Sequence, residues 1–159
     1  MDLDETDRKL LYLLQREMPT DLTHEELAER TDVSSSTVSN RLQRLREDGI
    51  LEDYQPQINY ERAGIPHRVL VVCTAPIPER RTLAERAIDV DGVVSVRELM
   101  TGTQNLHVEL VGASTRGVDD ALERLASFGL EIERSRILRR EYSSACKHFG
   151  SGSGASADE

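Results

Sequence analysis

The 159-residue sequence has no tryptophan, two cysteines and two lysines, and aromatic residues make up 4% of it. Nowhere does an apolar run approach the roughly 20 residues that a membrane-crossing helix needs. Acidic residues follow Met1 where a secretory leader would carry basic ones. These absences argue against a membrane partner and point to a cytoplasmic chain. Cys73 and Cys146 are too few and too distant for a disulfide framework and read as free thiols. Cys146 and His148 form a C-x-H pair, too little by itself for a metal site, so no metal and no resident cofactor is expected.

Lysine is replaced almost wholly by arginine: eighteen of the twenty basic residues are Arg, set against 29 carboxylates for a formal charge of -9. Abundant acid and modest apolar content would fit disorder, but the apolar residues recur with regular periods, which argues for folded elements. The balance resembles that of proteins from salt-loving archaea, whose carboxylate surfaces stay hydrated at high salt.

Three short helices follow from the N-terminus. In "LDETDRKLLYLLQRE" Asp4 suits the N-cap position, and Leu10, Leu11 and Leu14 share one side. In "LTHEELAERT" Thr23 and Glu26 have capping-box spacing, with Leu22 placed to staple onto Leu27. The third helix repeats the device, Ser34 capping and Val33 stapling to Val38, and Gly49 suits a left-handed C-terminal stop. Asp32 holds the turn position where glycine is common, and Asp tolerates the left-handed conformation better than most residues. The next stretch, "ILEDYQPQINY", reads as two short strands turned at Gln55-Pro56, a wing.

From Val33 to Arg46 no carboxylate interrupts the third helix, although the chain around it is acidic. Val38, Leu42 and Leu45 form its apolar side. Ser36, Asn40 and Gln43 occupy the opposite arc, with Ser39 and Arg44 at its edges. Ser35, Ser36 and Thr37 lie in the first turn, where small hydroxyls allow close approach and free backbone N–H groups meet phosphates. Asn and Gln pair with adenine in the major groove and Ser with several base edges. Arg41, Arg44 and Arg46 suit phosphates. A solvated amphipathic helix would show the same polar arc. The two capped helices, the tight "TDVS" turn and the wing together favour a winged helix-turn-helix on double-stranded DNA, read through Ser35, Ser36, Thr37, Ser39, Asn40, Arg41, Gln43 and Arg44.

After the break at Gly64-Ile65-Pro66 the pattern becomes strand "RVLVVCTA", helix "ERRTLAERAIDV", strand "VVSVRELM", turn "TGTQN", strand "LHVELV", helix "TRGVDDALERLASF" and strand "LEIERSRILRREY". The β-α-β-β-α-β order predicts a ferredoxin-like sheet with both helices on one face. The fold class is thus α+β, with a winged helix-turn-helix over residues 1–62 and a ferredoxin-like domain over 66–142. A half-apolar bare face is expected on the sheet, since Leu106, Val108 and Leu110 alternate with His107, Glu109 and Val111, and a second copy of the chain is its expected partner. Residues 149–159, chiefly "GSGSGASADE", read as a disordered acidic tail.

The run from Leu3 to Leu51 resembles the N-terminal half of the Lrp/AsnC (feast/famine) transcription regulators, and the second half with "MTGTQNLHVELVG" resembles their effector-binding RAM domain. The resemblance covers roughly residues 3–142. It implies dimers through the sheet faces, often assembled into octamers, and an amino-acid effector at the interface between effector domains, to which the turn between the second and third strands contributes. Here that turn is Gly102, Thr103, Gln104 and Asn105, with Asn105 where many members carry Asp, so an amide replaces the carboxylate that would meet a ligand ammonium. The siroheme decarboxylases resemble the same two-domain chain and would nominate His67, His107, Arg68 and Arg97. An intact DNA-reading helix favours the regulator over such an enzyme. An architectural DNA binder without effector stays open beside it.

Overall fold

The computed structural model describes residues 2–17 and 21–150. Its contacts divide the chain into two units, Met1–Gln57 together with the segment from Tyr142 onward, and Ile58–Glu141.

In the first unit, helix α1 (Glu5–Arg16) starts at Asp4, whose side chain accepts from the Asp7 N–H at 2.8 Å while Asp7 accepts from the Asp4 N–H at 3.2 Å. Helix α2 (His24–Thr31) begins with the expected box: Thr23 Oγ1 accepts from the Glu26 N–H at 3.1 Å and Glu26 accepts from the Thr23 N–H at 2.9 Å. Each box satisfies two of the N–H groups a helix start leaves over. Asp32 then turns the chain in the left-handed region, φ 57. Helix α3 (Ser35–Glu47) follows, with Ser34 Oγ accepting from the Thr37 N–H at 3.2 Å. It ends in a Schellman motif. Gly49 (φ 68) donates to the Arg46 carbonyl at 3.0 Å and Ile50 to the Leu45 carbonyl at 2.9 Å.

Leu10, Leu11, Leu22, Leu27, Val38, Leu42 and Leu45 form the buried centre where these helices meet, with Val33 and Leu14 packed at its edge. Each such leucine contributes about 1.5–3 kcal/mol by leaving water. Leu42→Ala would leave a cavity between the helices, the kind of change that costs about 2–5 kcal/mol.

Two expectations for this unit are corrected. The wing strands do not form: residues 52–59 contain no strand. The segment lacks an apolar alternation to bury, Pro56 has no N–H for a ladder, and Gln57 turns its amide to Ser143 Oγ at 2.8 Å instead. Residues 149 and 150, expected in the disordered tail, lie instead in a helix. A short helix α6 (Lys147–Gly150) brings Phe149 onto the leucine cluster, and Gln15 accepts from the Cys146 N–H at 2.8 Å. The remainder of the expected tail lies outside the described residues.

The second unit contains β1 (His67–Thr74), α4 (Arg80–Ile88) after one 3-10 turn, β2 (Val93–Glu98), β3 (Leu106–Gly112), α5 (Thr115–Ser127) and β4 (Glu131–Ile137). The strands pair antiparallel in the order β2-β3-β1-β4, the ferredoxin-like arrangement that the pattern predicts. Val69, Val71, Cys73, Leu106, Val108 and Leu110 share one buried cluster with Leu83 and Ala87 of α4 and Ala121 and Leu125 of α5, so both helices cover the same face. Burial pushes the Cys73 thiol up to about 11, which leaves it an unreactive core side chain.

Register places Arg68, Leu70 and Val72 of β1, Arg97 of β2, His107, Glu109 and Val111 of β3, and Arg134 and Arg136 of β4 on the opposite face. That face is more ionic than the expected half-apolar one. Its apolar residues form a central strip, and beside them Glu109, only 4% exposed, pairs with Arg68. Arg68 also reaches Glu141 at 2.7 Å, which Arg97 approaches at 3.6 Å. A carboxylate as buried as Glu109 is tolerated because a guanidinium meets it.

Candidate nucleic-acid interface

Helix α3 turns Val38, Leu42 and Leu45 inward and leaves Ser35, Ser36, Ser39, Asn40, Gln43 and Arg44 exposed. The apolar spacing dictates this division, since positions 38, 42 and 45 fall on one stripe. Thr37 and Arg41 are half-buried. At the N-terminal turn the hydroxyls join a local network, Ser34 Oγ lying 3.0 Å from Ser36 Oγ and 2.8 Å from Thr37 Oγ1. Thr37 therefore holds the turn in shape, while Ser35 and Ser36 stay on the surface. Asn40 makes no side-chain hydrogen bond among the described residues, so both halves of its amide are open to a ligand. Gln43 donates to Glu47 at 2.9 Å, an exposed i,i+4 contact worth a few tenths of a kcal/mol and easily given up.

The arginines depart from the reading as plain phosphate contacts. Arg41 Nη1 lies 2.5 Å from Asp4 and 3.0 Å from Asp7. Arg44 Nη2 lies 2.9 Å from both oxygens of Asp7. Asp7 is 1% exposed and Asp4 about half exposed. The Arg41 bond, backed by the Asp7 N–H, lowers the Asp4 carboxyl to about 2, and the same bond raises Arg41. Two carboxylates on the first turn of α1 thus neutralise two guanidiniums on α3. Arg41 gives its Nη1 to this contact and is half-buried against α1. Arg44 keeps its remaining donors in the open, its side chain 48% exposed. Arg46 lies over the Tyr54 ring at 5.5 Å.

Reading α3 by itself misses Asp4 and Asp7. The signal is in the spacing: two carboxylates three residues apart at a helix start, and two arginines three residues apart on another helix.

In the second unit the turn between β2 and β3 exposes Gly102, Thr103 and Gln104 and buries Asn105 completely. The Asn105 amide is committed at both ends, accepting from the Ala75 N–H at 2.8 Å and donating to the Ala75 carbonyl at 2.9 Å. It closes the turn onto the end of β1 as a strand pair would. The amide that the sequence places in the effector turn is thus engaged within the fold. The left-handed residue of the turn is Gln104 (φ 51), whose N–H donates to Thr74 Oγ1 at 2.8 Å, and not Gly102. A Cβ on Gly102 would meet nothing within 4 Å.

Of the residues of the enzyme reading, Arg68, Arg97 and His107 share the bare sheet face, Arg97 opposite His107, and His67 lies on the other face. His67 stands opposite Gly112 and His107 opposite Val72, at different ends of the β1–β3 pair and on different faces of the sheet. Arg68 is taken by Glu109 and Glu141.

The family model for winged helix-turn-helix DNA-binding domains matches residues 3–52. An uncharacterised HTH-type transcriptional regulator of Pyrococcus horikoshii is 31% identical over 145 residues, 87% of each chain. The HTH-type transcriptional regulator LrpA of Mycobacterium tuberculosis is 28% identical over 149 residues, 92% of this chain and 97% of its own. Among solved structures, a feast or famine regulatory protein of M. tuberculosis in complex with L-methionine superposes with a TM-score of 0.75 at 27% identity, covering 90% of this chain and 96% of that one. The match spans both units, and its N-terminal part is the helix-turn-helix whose surface is described above. The chain belongs to the Lrp/AsnC (feast/famine) family of HTH-type transcriptional regulators.

Proposed function

We propose that the first unit recognises operator sequence in the major groove through α3 and that the second unit pairs with another copy and senses an amino acid. The observation that carries the DNA reading is the exposed face of α3. It holds an uncommitted Asn40 amide, Gln43 and three serines, and no carboxylate from Ser35 to Arg46, in a unit that is otherwise acidic. Asn40, Gln43, Ser36 and Ser39 would meet base edges, the N-terminal N–H groups at Ser35 and Ser36 a phosphate, and Arg44 a second phosphate. Arg41 and Thr37 would serve by holding the helix.

The sheet face opposite the helices is the expected dimer contact, its central Leu70, Val72 and Val111 flanked by charges. Two copies then present two α3 helices, which requires a two-fold operator with half-sites about one helical turn, or a multiple, apart. The L-methionine complex of the related mycobacterial protein supports an amino acid as effector, and Gly102, Thr103 and Gln104 are the exposed part of the turn that would meet it. The protein acts by binding and not by catalysis. Its place is the cytoplasm, where the DNA is, and among the described residues no helix is long and apolar enough to cross a membrane.

The test is calorimetry with the twenty amino acids in molar potassium chloride, followed by genome-wide occupancy with and without any that bind. Binding of one class, with occupancy confined to a few promoters that shift with it, is the expected result. Silence across the panel with broad occupancy would replace the regulator by an effector-free architectural protein.

A further inference from the structure

Asp7 is the one carboxylate among the described residues buried inside the first unit, and it faces the helix read here as meeting DNA. A buried charge beside a nucleic-acid surface is unfavourable twice over, through desolvation and through repulsion of phosphate. Its surroundings show what offsets this. Arg44 gives Asp7 a single nitrogen, Nη2, shared between both carboxylate oxygens at 2.9 Å. Arg41 brings its Nη1 within 3.0 Å of the same carboxylate and within 2.5 Å of Asp4. The Asp4–Asp7 capping box fixes the carboxylates from behind, each accepting the other's backbone N–H.

A guanidinium is a rigid planar fork with five N–H donors. Holding Arg44 by Nη2 anchors one corner of that fork and leaves Nη1 and Nε without a partner among the described residues, on a side chain that is 48% exposed. Arg41 is likewise held by one nitrogen, Nη1, but by two carboxylates and at 24% exposure. The two arginines thus divide the work: one anchors α3 to α1, the other projects.

We infer that Asp7 is a positioning residue for DNA binding, holding the Arg44 guanidinium at a set orientation from which its free edge takes one phosphate. The inference rests on the reading that α3 meets DNA. It gives a buried acid at the interface a purpose that charge alone contradicts. Preorganisation removes the ordering that a free arginine would need on binding. It also restricts the role to arginine, since an ammonium at position 44 cannot meet Asp7 and a phosphate through two edges of one plane.

The two views differ in sign. On charge alone, Asp7→Asn removes a repulsive carboxylate and tightens binding to every duplex, as Asp2→Asn should, Asp2 being exposed and outside the cluster. If Asp7 positions Arg44, Asp7→Asn weakens binding about tenfold in spite of the gained charge, as loss of a charge-assisted contact does. Arg44→Ala and Arg44→Lys should weaken it similarly, and Arg44→Ala should shift the log–log salt slope by about 0.9 in the positive direction. The double variant Asp7→Asn/Arg44→Ala should bind no worse than Arg44→Ala alone.

Affinities of the full chain for one selected duplex decide this, with melting temperatures of each variant measured alongside. Asp7→Asn binding like Asp2→Asn, or losses that add in the double variant, would overturn the inference while leaving the DNA reading in place. If Asp7→Asn does not fold, Arg44→Lys carries the test, and native-like binding by it would equally overturn the proposal. If Arg44→Ala and Asn40→Ala both bind like the native chain, the α3 reading falls and this inference with it.

Discussion

Asp4 in the first unit and Asn105 in the second show how far a residue's identity goes in revealing its work. Asp4 is legible as a cap from its place before an apolar-periodic run. Its bond to Arg41 joins positions 37 residues apart in sequence, beyond the reach of local pattern. Because that bond lowers the Asp4 carboxyl to about 2, below the ordinary value of about 3.9, the stability it contributes is complete above about pH 4 and lost as the pH falls toward 2. In thermal melts between pH 5 and 2 the native chain should therefore lose more stability than Asp4→Asn, which still caps the helix. Equal acid sensitivity would contradict the ion pair. Asn105 looks like a ligand residue from its turn, and only the fold shows its amide closed on Ala75. Asn105→Ala strands a buried N–H and C=O and should cost about 2–4 kcal/mol in denaturant unfolding. Gly102→Ala, with open space around its Cβ, should stay within about 0.5 kcal/mol. A harmless Asn105→Ala would return the amide to the list of effector contacts.

At the level of elements, what local chemistry dictates was readable. The caps Asp4, Thr23 and Ser34, the left-handed Asp32 and the Gly49 stop all follow from residue type and spacing, as does the alternation that orders the sheet. Elements that depend on distant partners were not. The wing expectation rests on two short polar runs around Gln55-Pro56, which have no apolar face to drive pairing. Helix α6 is four residues long and has no stability of its own. It exists because Phe149 finds the α1–α3 core, which no period in the sequence announces. The C-terminal segment is thus an integral part of the first unit. Phe149→Ala should destabilise the chain by about 1–3 kcal/mol, with hydrogen exchange accelerated in α1 and not in β1 or β3. Exchange unchanged in α1 would show that the segment adds nothing to that unit.

Over the whole molecule the charge distribution sets the conditions of binding. Residues 1–60 hold seven Arg and Lys against fourteen Asp and Glu, a net of -7 in the half that meets DNA. Arg41 and Arg44 are further neutralised within the fold by Asp4 and Asp7. A conventional DNA binder releases condensed cations and loses affinity steeply as salt rises. Here added salt screens repulsion, over a Debye length of ~3 Å at 1 M, while short contacts along α3 persist. Affinity titrations from dilute to molar potassium chloride should give a shallow or inverted slope, and circular dichroism should show folding lost in dilute buffer through self-repulsion. A steep ordinary decline by a fully folded protein would contradict the salt-adapted reading. The central claim, that α3 reads sequence, is tested most directly by selecting binding sites from a random duplex pool with the native chain and with Asn40→Ala. The expected result is a two-fold site for the native chain and, for the variant, the same site with discrimination at one base pair per half-site reduced by about 1–3 kcal/mol. An unchanged site profile for Asn40→Ala would contradict it.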